Sequence, residues 1–144
     1  AKIAHAVAKS MNPSNTLIAK AKSFDISKLK NINLLVVGSP THGGRPSPAA
    51  KQLLDTLLPN SLHKISAAAF ATGMRREKQR AFLKFVIKFF GYAAPRIAHA
   101  LQAKGADIIG TENFYVAGKE GPLLEGELER ATKWGRQLLA KLDK

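Results

Sequence analysis

Residues Val36–Pro48 read VVGSPTHGGRPSP, and the fold turns on why the apolar run stops there. Leu34–Val37 are four consecutive apolar residues, and Gly38–Pro48 then hold three glycines and three prolines in eleven positions. A plain connection needs only two to five residues. A strand covered on both faces reads as a continuous apolar run, so Ile32–Val37 is predicted to be a strand inside a parallel sheet. The loop that follows is too long and too stiff for a simple turn, and we read it as a ligand loop.

Outward from this point, strands alternate with helices. Ile3, Val7 and Met11, with Ala4 and Ala8, keep i, i+4 spacing and predict an opening amphipathic helix, broken at Asn12-Pro13-Ser14-Asn15. Thr16–Ala21 is predicted as a weak strand and Asp25–Asn31 as a loop. Leu53, Leu54, Leu57 and Leu58 mark a helix ending before Pro59. Ile65–Ala71 is a short buried strand opening onto Thr72-Gly73. Helices are expected from about Glu77 to Phe90 and from Ala94 to Lys104, with Gly105 as the stop. Asp107–Val116 is the last strand. Glu125–Leu142 is the last helix, with Leu128, Ala131, Leu138 and Leu142 facing inward and Glu125, Glu127 and Glu129 near its positive end. This order predicts an α/β fold with a doubly wound parallel sheet in three α/β/α layers, as a single domain over residues 1–144. Ligands of such sheets bind outside the carboxyl ends of the strands, where Gly38–Gly44 and Thr72-Gly73 would lie side by side.

Bulk properties narrow the chemistry. The 144 residues include no cysteine, which removes disulfides, thiolate metal sites and cysteine catalysis. No run approaches the roughly 18 apolar residues of a membrane span, and a cytoplasmic setting is expected. The net charge is +13 and uneven: residues 1–100 carry 16 basic and 3 acidic residues, and residues 101–144 carry 7 of each. Such a field favours anionic partners or simply marks a basic surface.

In the quoted loop, Gly43 and Gly44 permit close approach of a ligand to the backbone, while Pro40, Pro46 and Pro48 stiffen it. Ser39 and Thr41 add hydroxyls, and His42 adds a flat ring. A planar heteroaromatic ligand suits this cradle better than a bare phosphate, which favours the N–H groups of a helix N-terminus. His42 is read as a stacking group or a solvated loop residue rather than a base. No general base and orienting acid stand near Ser39 or Thr41, so nucleophilic chemistry is not expected. His5, His63 and His99 are read as surface residues, Trp134 as packing, and no metal-ligand spacing is found.

The series G-S-P-T-H-G-G-R-P resembles the isoalloxazine-binding loop of flavodoxin-like proteins. Phe70-Ala71-Thr72-Gly73 resembles their second flavin loop, Ala93–Gly105 the helix before the last strand, and Gly118–Gly135 the closing loop and helix. The resemblance runs over essentially the whole chain. It implies FMN as cofactor, held by Ser39, Pro40, Thr41, His42, Gly43, Gly44, Thr72, Gly73 and Met74, with no catalytic side chain and no metal. It further implies FMN-dependent electron transfer, as a carrier or as an NAD(P)H-dependent quinone reductase, with a redox partner protein or quinone as the other party.

Two features depart from that family. Its members begin with a strand and a phosphate-binding loop, whereas this sequence begins inside the helix that follows, so the N-terminal central strand is expected to be lacking. Loss of about three charge-assisted hydrogen bonds of about 1.5–3 kcal/mol each would weaken FMN binding by several powers of ten, at about 1.4 kcal/mol per tenfold. The other departure is charge, since typical flavodoxins are acidic. A non-enzymatic polyanion-binding module, with nucleic acid as partner, and an apo structural relative therefore stand as alternatives. Finally, Met74–Tyr92 (MRREKQRAFLKFVIKFFGY) predicts a helix whose apolar arc spans roughly 200° at 100° per residue, against about 100° for an ordinary surface helix. Dimerisation through Phe82–Phe90 or partner docking is expected ahead of a membrane surface, with deep packing as the plain reading.

Overall fold

The computed structural model describes residues 2–12, 15–41, 45–74, 93–116 and 122–142. The apolar run forms strand β1, Leu34–Pro40, which extends through Gly38-Ser39-Pro40 and so includes the first residues of the ligand loop. Around it the order is helix α1 (Lys2–Lys9), β1, α2 (Pro48–Thr56), β2 (Ser66–Met74), α3 (Ala93–Ala103), β3 (Asp107–Val116) and α4 (Glu127–Leu142). The sheet is parallel in the order β1-β2-β3, with Leu34 opposite Ser66 and Ser66 opposite Asp107.

Central β2 explains how the layers close. Ala67, Ala68, Ala69 and Ala71 are fully buried, and their single methyl groups leave room for helices on both faces. Leu54 of α2, with Ile97 and Leu101 of α3, packs with Val37, Ala67, Ala69 and Ala71 on one face. Ile3 and Val7 of α1, with Ala131, Trp134 and Leu138 of α4, pack with Ala68, Phe70 and Phe114 on the other. The rings of Phe70, Phe114 and Trp134 meet pairwise edge to face at 5.9–6.0 Å. Trp134 is therefore a packing residue, as expected, and His5, His63 and His99 are exposed.

Several expectations are corrected. Thr16–Ala21 is no strand: it joins no ladder, ends in a 3-10 turn at Ala21–Ser23, and leaves Leu17 60% and Ile18 43% exposed. A weak strand exists only through a paired neighbour, and the described residues provide none beside it. Asp25–Asn31 is not irregular but holds a 3-10 helix, Ile26–Asn31, capped by Asp25. In α4, Leu128 lies outward at 45% exposed, and Glu127 takes the inward place at 5%. The stripe Glu127, Ala131, Trp134, Leu138 keeps helical spacing, and Glu127 is drawn in by a backbone partner described below. The Glu77–Phe90 helix, and with it the Phe82–Phe90 interface, lies outside the described residues.

The two sheet edges differ. Bonds from Thr41 N–H to Thr72 C=O and from Ser66 N–H to Asn33 C=O turn the odd-numbered residues of β1 toward β2. Leu34, Val36 and Gly38 consequently point their peptide groups outward, and these make no hydrogen bond among the described residues. Along β3 several outward groups are met. Lys141 Nζ donates to Ile109 C=O at 2.9 Å, Arg130 Nη2 donates to Asn113 C=O, and Tyr115 N–H donates to Glu127 Oε2 at 2.7 Å. Side chains of α4 thus blunt one edge.

Candidate functional site

β1 and β2 end at the same rim because Pro40 lies opposite Thr72. One residue further on, Thr41 N–H donates to Thr72 C=O at 2.8 Å. This bond joins the two glycine-bearing loops that the sequence placed side by side.

Each predicted residue can be located. Ser39 is buried at 4% exposure, and its hydroxyl both donates and accepts. It donates to Pro40 C=O at 2.8 Å and accepts from Ser47 N–H at 2.7 Å. Pro40 is exposed, and Thr41, Thr72 and Gly73 are half-buried. Thr41 Oγ1 accepts from Ala93 N–H, the first residue of α3, at 3.2 Å. Thr72 presents a hydroxyl without a hydrogen bond among the described residues. Met74 is the last residue of β2. His42, Gly43 and Gly44 lie outside the described residues.

Two residues that the sequence reading missed shape this rim. Ser47 closes the neck of the loop through its N–H, and its own Oγ accepts from Ala50 N–H at 3.3 Å to cap α2, with Pro48 at the first helical position. The Ser-Pro pair is a readable helix start; the link from Ser47 back to Ser39 is tertiary and leaves no local signal. The second is Ala93, whose contribution is a backbone N–H and is independent of residue type.

Beyond β2, the end of β3 is held by charge. Glu127 accepts from Arg130 Nε at 2.9 Å and Nη2 at 2.8 Å, and Arg130 also pairs with Glu112 at 3.2 Å. The guanidinium lies 4.8 Å from the Phe114 ring centroid and 5.4 Å from that of Tyr115. Hydrogen bonding to Glu127 raises the Arg130 pKa, which keeps the guanidinium charged throughout. This cluster is structural: it anchors α4 to the strand end. Among the described residues no group of His, Asp and Glu could hold a metal ion, and no helix is long and apolar enough to cross a membrane. A cavity of about 230 Å³ beside α1, lined by His5, Ala8, Lys9, Thr16 and Ile18, lies away from the rim.

No protein-family model and no curated protein sequence matches the chain. Solved structures do. An archaeal flavodoxin superposes at TM-score 0.69 and 15% identity, over 99% of this chain and 90% of that one. A Streptococcus pneumoniae flavodoxin gives 0.68 and 16%, over 97% and 89%. General stress protein 14 of Treponema denticola, solved in complex with FMN, gives 0.51 and 18%, over 85% and 74%. The chain has the flavodoxin-like fold. In the flavodoxin-like frame of this chain, the Thr41–Thr72 bond stands at the carboxyl ends of two parallel strands, where open α/β sheets take their ligands.

Proposed function

We propose that this chain binds FMN, with the flavin ring seated on the rim formed by Ser39–Gly44 and Thr72–Met74, and that it serves flavodoxin-type electron transfer. The observation that carries this reading is the hydrogen bond from Thr41 N–H to Thr72 C=O, which brings both loops to one edge of the sheet. The donor set fits the ring end of FMN. Half-buried Thr41, Thr72 and Gly73 line the edge where a flat polar heterocycle would sit, and Thr72 offers it a hydroxyl without a hydrogen bond among the described residues.

When bound, the flavin supplies the redox chemistry. The chain's own residues hold the ring and shape its surroundings. Thr41 and Thr72 fix the spacing of the two loops. Exposed Pro40 is a rigid apolar surface for the ring, and His42 offers a stacking partner. No side chain is assigned a proton transfer. A redox partner protein, a quinone or NAD(P)H is the proposed other party, in the cytoplasm.

Titration of FMN with the 144-residue chain, followed by quenching of flavin fluorescence, tests the reading. Saturable quenching at micromolar or lower concentration is expected. Absence of quenching up to 100-fold higher protein concentration would overturn it.

A further inference from the structure

We infer that Ser39 is the positioning residue of the ring loop and makes no contact with the ring itself. The inference rests on the FMN reading above, and it assigns Ser39 a role different from that implied by the family resemblance. Ser39 and Glu127 are the buried polar residues among those described. A buried hydroxyl has to be satisfied, and that of Ser39 is satisfied entirely from within the loop: it donates to Pro40 C=O and accepts from Ser47 N–H, eight residues along. Its one O–H is spent on Pro40, and burial keeps the remaining lone pair of the oxygen from a ligand on the rim.

The geometry fixes what this does. Pro40 ends β1, has no N–H, and turns its carbonyl away from β2. The Ser39 hydroxyl takes that carbonyl and, on its other side, holds the N–H of the residue that caps α2. The entry and exit of the loop are thereby clamped at one oxygen atom. Immediately beyond the clamp, Thr41 N–H reaches Thr72 and Thr41 Oγ1 receives Ala93 N–H. The loop's entry leg is thus tied to α2, β2 and α3 before any ligand arrives. A loop fixed beforehand loses less conformational freedom on binding. The clamp is the part of that fixation which a single substitution removes.

The test compares the chain with S39A, S39T, S47P and S47A for FMN affinity, for the absorption spectrum of bound flavin, and for far-UV circular dichroism without flavin. S39A removes the clamp's oxygen atom, and S39T retains it. S47P deletes the N–H from the other side, at a residue whose φ of −62° already suits proline. It also deletes the Oγ that caps α2, so it is read against S47A, which loses that cap and keeps the N–H. Expected are a tenfold or greater loss of affinity and a changed flavin spectrum for S39A and S47P, with S39T and S47A closer to the original chain than either. If S39A does not fold, S47P against S47A decides. Binding by the original chain, with equal affinity and spectrum in the folded S39A variant or no difference between S47P and S47A, would overturn the positioning role and leave the FMN reading standing. Failure of the original chain to bind FMN would overturn both.

Discussion

Thr41 Oγ1 accepts a hydrogen bond from Ala93 N–H across 52 positions of the chain. Ala93 is fully buried, so its N–H, one of the four without a partner inside α3, has no water to fall back on. A side chain of the first loop is in effect the cap of a helix that begins far along the sequence. Thr41→Val keeps the shape and removes the acceptor. We expect a loss of about 1–2 kcal/mol, the usual cost of a lost cap, and faster amide exchange at Ala93 and Ala94 than in the unaltered chain. Unchanged exchange at both would show that the bond carries no stability.

Gly38 has a role in packing separate from the loop's binding chemistry. It lies opposite Phe70 in the ladder, and a Cβ added there would run into the Phe70 ring. That ring is wedged between Phe114 and Trp134 and has nowhere to retreat. Gly38→Ala should therefore destabilise the fold by about 1–3 kcal/mol, the range for overpacking. Phe70→Leu should recover part of that loss in the double variant. Urea denaturation of the two single variants and the double variant measures the coupling, and additive losses would refute the contact.

Much of this was legible in the residues. Asp107–Val116 is a strand with the predicted bounds, and Gly105 (φ 106°) marks the break before it. The two loops meet on one rim because a parallel α/β alternation forces their ends to the same side. What escaped the sequence was tertiary. Whether Thr16–Ala21 pairs depends on a neighbour, which no local propensity reveals. Leu128 and Glu127 exchange the places expected of an apolar and a charged residue, because a strand N–H at Tyr115 needed a carboxylate. Ser39 and Thr41 were read as ligand groups from their type; their hydroxyls face inward to Ser47, Pro40 and Ala93.

The sheet edges should exchange hydrogen at different rates. The outward N–H groups of Leu34, Val36 and Gly38 have no acceptor among the described residues, whereas Tyr115 N–H is bound to Glu127. Amide exchange by NMR should show Val36 and Gly38 far less protected than Ala69 of the central strand, and Tyr115 more protected than either. Equal protection of Val36 and Ala69 would mean that something covers the β1 edge.

Asp25 should hold its charge to lower pH than an ordinary aspartate. The Ser27 hydroxyl and then the Ser27 N–H, both hydrogen-bonded to its carboxylate, hold the Asp25 pKa below its ordinary value. A lowered folded-state pKa means that the charged form favours folding. Its contribution is complete above the ordinary aspartate range and is lost as pH falls through the folded value. Ser27→Ala removes the larger cause, so the Asp25 carboxyl resonance should titrate at higher pH in that variant. An unshifted midpoint would deny the hydroxyl its part.

Gly135 sets how closely α1 and α4 cross. A Cβ there would strike Ser10 Oγ and would also come within 2.7 Å of Val7 C=O, a backbone atom. Thr132 Oγ1 donates to Ala6 C=O at 3.2 Å one turn earlier, so the two helices are held at this distance and cannot part without losing that bond. Two effects oppose each other in Gly135→Ala. Helix propensity favours alanine by about 1 kcal/mol, while overpacking costs about 1–3 kcal/mol. Because one of the struck atoms is main chain, the second effect should win and the variant should unfold at lower urea concentration. Adding Ser10→Ala clears the hydroxyl but leaves Val7 C=O in place, so it should recover only part of the loss. Full recovery would place the whole conflict at Ser10, and a more stable Gly135→Ala variant would show that α1 can move away from α4 at little cost.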